Sequence, residues 1–160
     1  MRFLVDTNIL LHACNQGSPV HAKAREFLDR EIRGRTPWCT TWPILYEFLR
    51  VSTHARVFPK PLKPGQALEF VRDIVANDAV ALLTPTDRHL PVLQEIVAGL
   101  GHPTGNLFHD IHTATLMREC GVPEIITADT DFLQMRFLKV TNPLTPAPPG
   151  HRRIEGLRKR

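Results

Sequence analysis

What most constrains this chain is an alternation: short apolar runs recur along it, and longer stretches with helical periodicity separate them. Segments 2–5, 38–41, 80–83, 124–127 and 137–140 read as strands. Helices are expected between them. One follows residue 6 with Ile9, Leu10 and Ala13 turned inward. Another opens at Ser18-Pro19, a cap and first-turn pair, carries Ala22, Phe27, Leu28 and Ile32 as its stripe, and stops before Gly34. A third begins at Trp42-Pro43 with Ile44, Leu45, Phe48 and Leu49 inward. Three prolines within 58–65 rule out a continuous helix there, so a loop is expected before the helix 67–77, which buries Leu68, Val71, Ile74 and Val75. Segment 87–100 and a segment opening at Asn106 or His109 are further helices, ended by Gly101 and Gly121, and 130–133 is a short one.

Strands alternating with helices specify an α/β fold in three layers, a mostly parallel central sheet with helices on both faces. In such folds the functional crevice lies at the carboxyl ends of the strands. With 160 residues and 42% apolar content, there is room for one globular domain with a sizeable core. We place that domain at 1–142 and read 143–160 as a Pro-rich and then basic tail. The last ten residues hold five Lys/Arg against one Glu, which accounts for the whole formal charge of +4. Such a tail can hold an anionic polymer or simply be a solvated end. Asp6 interrupts the first apolar run where a signal peptide needs its apolar core, and no run is long enough to span a bilayer. Three widely spaced cysteines, Cys14, Cys39 and Cys120, fit neither a disulfide framework nor a thiolate metal site and point to a reducing compartment, the cytoplasm.

Chemistry concentrates in acids. Asp6, Asp110 and Asp129 fall at the expected ends of separate elements; Glu47 comes from a helix with apolar neighbours, and Asp131 lies two residues past Asp129. Carboxylates gathered in one crevice repel one another until a cation neutralises them. Magnesium or manganese is the natural partner, being hard and oxygen-seeking, and one ion, or two about 4 Å apart, would serve hydrolysis of a phosphodiester. Asn8 is placed to orient Asp6, and Thr127 to add a supporting hydroxyl. Each residue also has a bland role: Asp6 and Asp129 as helix caps, Asp110 in a favourable helix dipole, Glu47 in a buried pair with Arg50, Asp131 as a solvated charge. His109 and His112 share a helix face but lack a zinc ligand pattern, while His54, His89 and His102 read as surface or loop residues. A nucleophile elbow and a glycine-rich phosphate loop are both missing from the sequence.

Taken together, Val5-Asp6-Thr7-Asn8, Glu47, Asp110 with Ala114 four residues later, and Ile126-Thr127-Ala128-Asp129-Thr130-Asp131-Phe132 resemble the signatures of PIN-domain ribonucleases. The opening 3–11, the size and the Asp-x-Asp-Phe segment are most similar to the VapC toxins of type II toxin–antitoxin pairs. The resemblance spans nearly all of 1–142. It implies a PIN-like α/β/α fold and an acidic metal site of Asp6, Glu47, Asp110 and Asp129, with Asp131 as an additional or alternative acid. It further implies magnesium- or manganese-dependent RNA cleavage, a homodimer, and a VapB-type antitoxin that silences the site. Exposed Arg50, Arg56, Lys60 and Lys63 would guide the RNA backbone, although each also reads as an ordinary solvated charge. Two rivals stay open: a PIN nuclease of RNA processing or structured DNA cleavage, and a non-catalytic RNA-binding scaffold.

Overall fold

A computed structural model describes residues 2–33, 36–58 and 60–145 of the chain. Its elements run β1 (Leu4–Val5), α1 (Thr7–Cys14), α2 (His21–Arg33), β2 (Trp38–Thr41), α3 (Trp42–Ser52), α4 (Pro64–Val75), β3 (Val80–Leu83), α5 (His89–Gly99), α6 (Leu107–Glu119), β4 (Glu124–Ile126), a 3-10 turn (Asp131–Gln134) and β5 (Lys139–Thr141). The five strands form one sheet in the order β3-β2-β1-β4-β5, and every pairing is parallel. β1 is central. It pairs through Leu4 with Cys39 on one side and through Leu4 and Val5 with Ile125 and Ile126 on the other.

Parallel neighbours need crossover connections, and right-handed crossovers dictate the layering. The order moves leftward from β1 to β2 to β3, which sends α1 to α4 to one face. The return from β3 to β4 and on to β5 sends α5, α6 and the 3-10 turn to the other. Helix contacts follow the same division: α1 packs on α2 and α3, α3 on α4, α5 on α6, and α6 on the 3-10 turn. This is the three-layer α/β/α domain expected from the alternation. Its core is built by the wholly buried Leu4, Ile9, Leu10, Trp38, Leu45, Phe48, Ile111, Leu116 and Ile125, with Phe48 stacked on Phe70 between α3 and α4.

Several expectations shift. The Ser18-Pro19 pair does not open α2. Ser18 is instead folded into a turn, its carbonyl accepting from His21 N and its hydroxyl accepting from Val20 N. The helix begins at His21, and Ala24 rather than Ala22 joins Phe27 and Leu28 in the core. The place of the Ile32 side chain lies outside the described residues. Helix α4 starts at Pro64, because a proline at the first helical position surrenders an N–H that would be unpaired anyway. Its buried stripe is Ala67, Val71 and Ile74, whereas Leu68 and Val75 face solvent. Phe137, expected in the last strand, is exposed in the turn before β5. Past β5, Leu144 is buried and its carbonyl accepts from Lys23 Nζ at 3.2 Å. The basic segment 151–160 lies outside the described residues. No described helix is long and apolar enough to cross a membrane.

Candidate active site

Asp6 is where β1 ends and α1 begins. The strand's apolar pair is followed by a carboxylate that caps the helix, accepting from Thr7 N at 2.7 Å through Oδ1. Its other oxygen, Oδ2, accepts from Asn8 Nδ2 at 2.6 Å and from the Thr127 hydroxyl at 2.7 Å. The capping role and the proposed site role therefore fall on one residue. Thr127 is saturated: it donates to Asp6 and accepts from Asn8 Nδ2 at 2.8 Å and from Asp129 N at 2.9 Å. Asn8 in turn accepts from Ala128 N at 2.9 Å. The ends of β1 and β4 are thus locked together through side chains. Three donors fill most of the Asp6 acceptor capacity and leave its remaining lone pair, on Oδ1, for an outside partner.

Glu47 arrives from α3, which Thr41 caps with its hydroxyl at the end of β2. Contrary to the apolar surroundings expected for it, Glu47 is half exposed. Two polar groups hold it: the Thr7 hydroxyl donates to Oε2 at 3.0 Å, and Arg50 reaches Oε1 at 3.5 Å. The anticipated pair with Arg50 exists but is solvated rather than buried, so it contributes little.

The third group comes from the opposite layer. Asp110 is in the first turn of α6, half-buried, and its carboxylate oxygen lies within 4.8 Å of those of Asp129 and Asp131. Asp129 is fixed on the backbone that leaves β4, its Oδ1 accepting from Asp131 N at 2.8 Å. This local turn brings the Asp131 carboxylate alongside. An open depression of about 330 Å³, lined by Asn8, Ala128, Asp129 and Thr130, adjoins the group. The larger groove of about 790 Å³, between α5, α6 and the 3-10 turn, contains none of these acids.

Proximity shows in the electrostatics. Burial raises the Asp6 pKa above the ordinary aspartate value and outweighs the lowering by the Thr127 and Thr7 hydrogen bonds, with smaller upward pushes from Glu47 and Asp129. Burial, then Asp129, Asp6, Asp131 and Glu47, push Asp110 up to about 7. Asp110 thus feels the other four acids across the carboxyl edge of the sheet. Their oxygens are the donor set a hard divalent cation requires, and the protein supplies no cation of its own to Asp110, Asp129 or Asp131 among the described residues.

Not every candidate converges. Arg50 touches Glu47, but no hydrogen bond or ion pair links Arg56, Lys60 or Lys63 to a site carboxylate among the described residues. These three are exposed between the end of α3 and the start of α4. His89 is not a free surface residue: its Nδ1 donates to the buried Glu119 at 2.6 Å, and its ring meets His112 edge-on. Sequence reasoning gave no role to Thr7, which ties Glu47 to the start of α1. Only its position between Asp6 and Asn8 hinted at one.

Five acids converging at the carboxyl edge of an all-parallel α/β/α sheet mark a PIN-type architecture, and comparison with known proteins agrees. The PIN domain family matches residues 3–138. Ribonuclease VapC33 of Mycobacterium tuberculosis is 36% identical over 139 residues, 87% of this chain and 96% of that protein. Ribonuclease VapC48 of the same organism is 31% identical over 140 residues, 88% of this chain and 96% of that protein. This chain therefore belongs to the PIN-domain family, among the VapC ribonucleases. Among solved structures, VapBC2 of Rickettsia felis bound to a promoter DNA fragment superposes with TM-score 0.63 at 16% identity, covering 89% of this chain and 98% of that one. The sarcin–ricin loop cleaving toxin VapC20 of Mycobacterium tuberculosis gives 0.60 at 19%, covering 85% and 96%. At those identities the likeness is one of fold.

Proposed function

We propose that the chain is a divalent-metal-dependent endoribonuclease and the toxin of a type II toxin–antitoxin pair. One observation carries the reading: Asp110, Asp129 and Asp131, from two separate elements, bring carboxylate oxygens within 4.8 Å of one another beside Asp6 and Glu47. A proton or a bound cation relieves such repulsion, and a hard divalent cation does so while leaving the carboxylates charged.

Asp110, Asp129 and the free lone pair of Asp6 would hold magnesium or manganese, with Asp131 as a further ligand. Bound there, the ion supplies charge stabilisation for a phosphodiester and lowers the pKa of a water. The remaining work belongs to side chains. Asn8 and Thr127 keep Asp6 and Asp129 in register by hydrogen bonds already formed. Glu47, held by Thr7, would bind a second ion or orient the attacking water. Arg50 steadies the incoming phosphate backbone; Arg56, Lys60 and Lys63 attract it from farther away.

Relatives named ribonuclease and fold neighbours solved as VapBC complexes support RNA as substrate and a VapB-type antitoxin as partner. A homodimer and a cytoplasmic location complete the proposal. The test is cleavage of total cellular RNA by the purified chain with magnesium or manganese, beside EDTA and D129N controls. Discrete fragments that require both metal and Asp129 are expected; equal cleavage by D129N would end the assignment. Growth arrest on expression, relieved by a small adjoining reading frame, tests the toxin role, and sedimentation tests the dimer.

A further inference from the structure

The acidic site leaves one feature of the sequence without a task, the basic segment 151–160. Residues 1–150 carry equal numbers of Lys/Arg and Asp/Glu, so the whole excess of +4 belongs to Arg152, Arg153, Arg158, Lys159 and Arg160, set against Glu155. The PIN-domain match stops at residue 138, and the family's shared pattern therefore does not account for it. The segment itself lies outside the described residues, but the described chain fixes where it departs. β5 is parallel to β4, which puts its Thr141 end at the carboxyl edge of the sheet, and the Thr141 carbonyl accepts from Thr127 N at 3.0 Å. Thr127 is the residue whose hydroxyl donates to Asp6 and accepts from Asp129 N. Asn142 then closes a turn, its side chain accepting from Leu144 N at 2.9 Å, and the buried Leu144, with Lys23 on its carbonyl, pins the chain to the domain. Leu144 is three residues from Thr141, a separation of at most about 11 Å, and the seven residues from Leu144 to His151 span up to about 25 Å. The cations are thus tethered within reach of the acids.

Resting on the ribonuclease reading, we propose that residues 151–160 grip the RNA phosphate backbone as it leaves the acids and supply the salt-dependent share of the affinity. A strand approaching five carboxylates meets repulsion, and Arg50 is already paired with Glu47 at 3.5 Å. Cations from beyond the domain offset that repulsion. Composition favours this occupant. Four of the five cations are arginines, whose planar fork sets two donors on one phosphate. They fall in two blocks, 152–153 and 158–160, separated by four residues. A single bound anion occupies one block, whereas a polymer charged at every nucleotide fills both. Ile154 and Leu157 are too few apolar side chains to hold a segment in a lipid surface. The carboxylates of the site are the rival occupant, and neutralising the segment separates the two: it weakens RNA binding in one case and strengthens it in the other.

The test is made in the full chain, with R152Q, R153Q, R158Q, K159Q and R160Q combined. In EDTA, where turnover stops, fluorescence anisotropy follows the binding of a labelled single-stranded RNA of about twenty nucleotides between 50 and 200 mM salt. Each phosphate contact adds about 0.7 to the slope of log affinity against log salt, so the parental slope should be steeper by roughly three. Over that range the parent should lose on the order of a hundred-fold more affinity than the neutralised variant, with both unfolding at the same urea midpoint. Replacing the four arginines by lysine keeps the charge and should keep the slope. Equal slopes in parent and neutralised variant overturn the proposal. Tighter binding by the neutralised variant, which would put the cations on the acids instead, overturns it too, as does a slope difference confined to duplex DNA of equal length. With magnesium or manganese at low salt, the neutralised variant should raise KM for the RNA roughly ten-fold or more. If the parent cuts no RNA with either metal, the ribonuclease reading fails on its own, and the EDTA titration still decides the phosphate grip.

Discussion

Helix α6 carries an acid near each end, and the two behave in opposite ways. Asp110, in the first turn, is pushed up to about 7. Glu119, in the last turn, is held below the ordinary glutamate value: burial raises it, but hydrogen bonds from Thr86 and His89 outweigh that. The helix dipole favours negative charge at the first turn and opposes it at the last. Both shifts run against it. Neighbouring groups decide the matter, and they separate a carboxylate satisfied inside the protein from one left wanting a cation.

The sharpest way to test this contrast is to remove each acid. D110N should lower metal-dependent RNA cleavage by more than about a hundred-fold, read on a labelled single strand. In EDTA at pH 8 it should unfold at or above the parental temperature, because a repelled charge has gone. E119A should do the reverse. It strands Thr86 and His89 and is expected to destabilise the fold by about 2–3 kcal/mol, measured by urea unfolding, while cleavage at low temperature survives. A D110N that loses stability and an E119A that loses none would break the comparison.

The pH dependence sharpens it. Asp110 has a folded pKa above its unfolded value near 3.8, so its stabilising contribution is complete below about 3.8 and disappears as pH rises through about 7. Glu119 is lowered from 4.5, so its contribution is present above about 4.5 and disappears as pH falls through its folded pKa. Metal-free protein should therefore lose a few degrees of Tm between pH 5 and pH 8, roughly what one or two kcal/mol produces in a domain of this size. Magnesium or D110N should flatten that fall. E119Q should flatten only the acid limb. A smaller effect is expected from T7V, about ten-fold in kcat through loss of the hydrogen bond that positions Glu47, with T7S restoring it; equal rates in T7V would leave Thr7 without that function.

Which parts of this were legible beforehand follows from how local their causes are. The strand of Val80 to Leu83 and the start of α3 at Trp42-Pro43 follow from neighbours in sequence, and both were read correctly. The start of α2 was not, because Ser18 engages His12 and Val20 in a turn that competes with capping. Asp6 and Asp129 were visible because each directly follows an apolar run. Glu119 escaped notice since its partners, Thr86 and His89, are about thirty residues away. Thr7 escaped for the same reason, its bond to Glu47 spanning 40 residues. For a dead-site control D6N is a poor choice, because it sets an amide against the three donors that hold Asp6 at the start of α1.

The bond between Asp6 and Thr127 spans 121 residues. Chains emerge from the ribosome at about 5–20 residues per second, so Asp6 waits on the order of ten seconds for its partner to be made. Throughout that interval the central strand lacks one of its two neighbours and the acids are not assembled. On the ribonuclease reading, a nascent chain or any fragment ending before β4 lacks Asp129 and Asp131 and is expected to cut no RNA, its own message included.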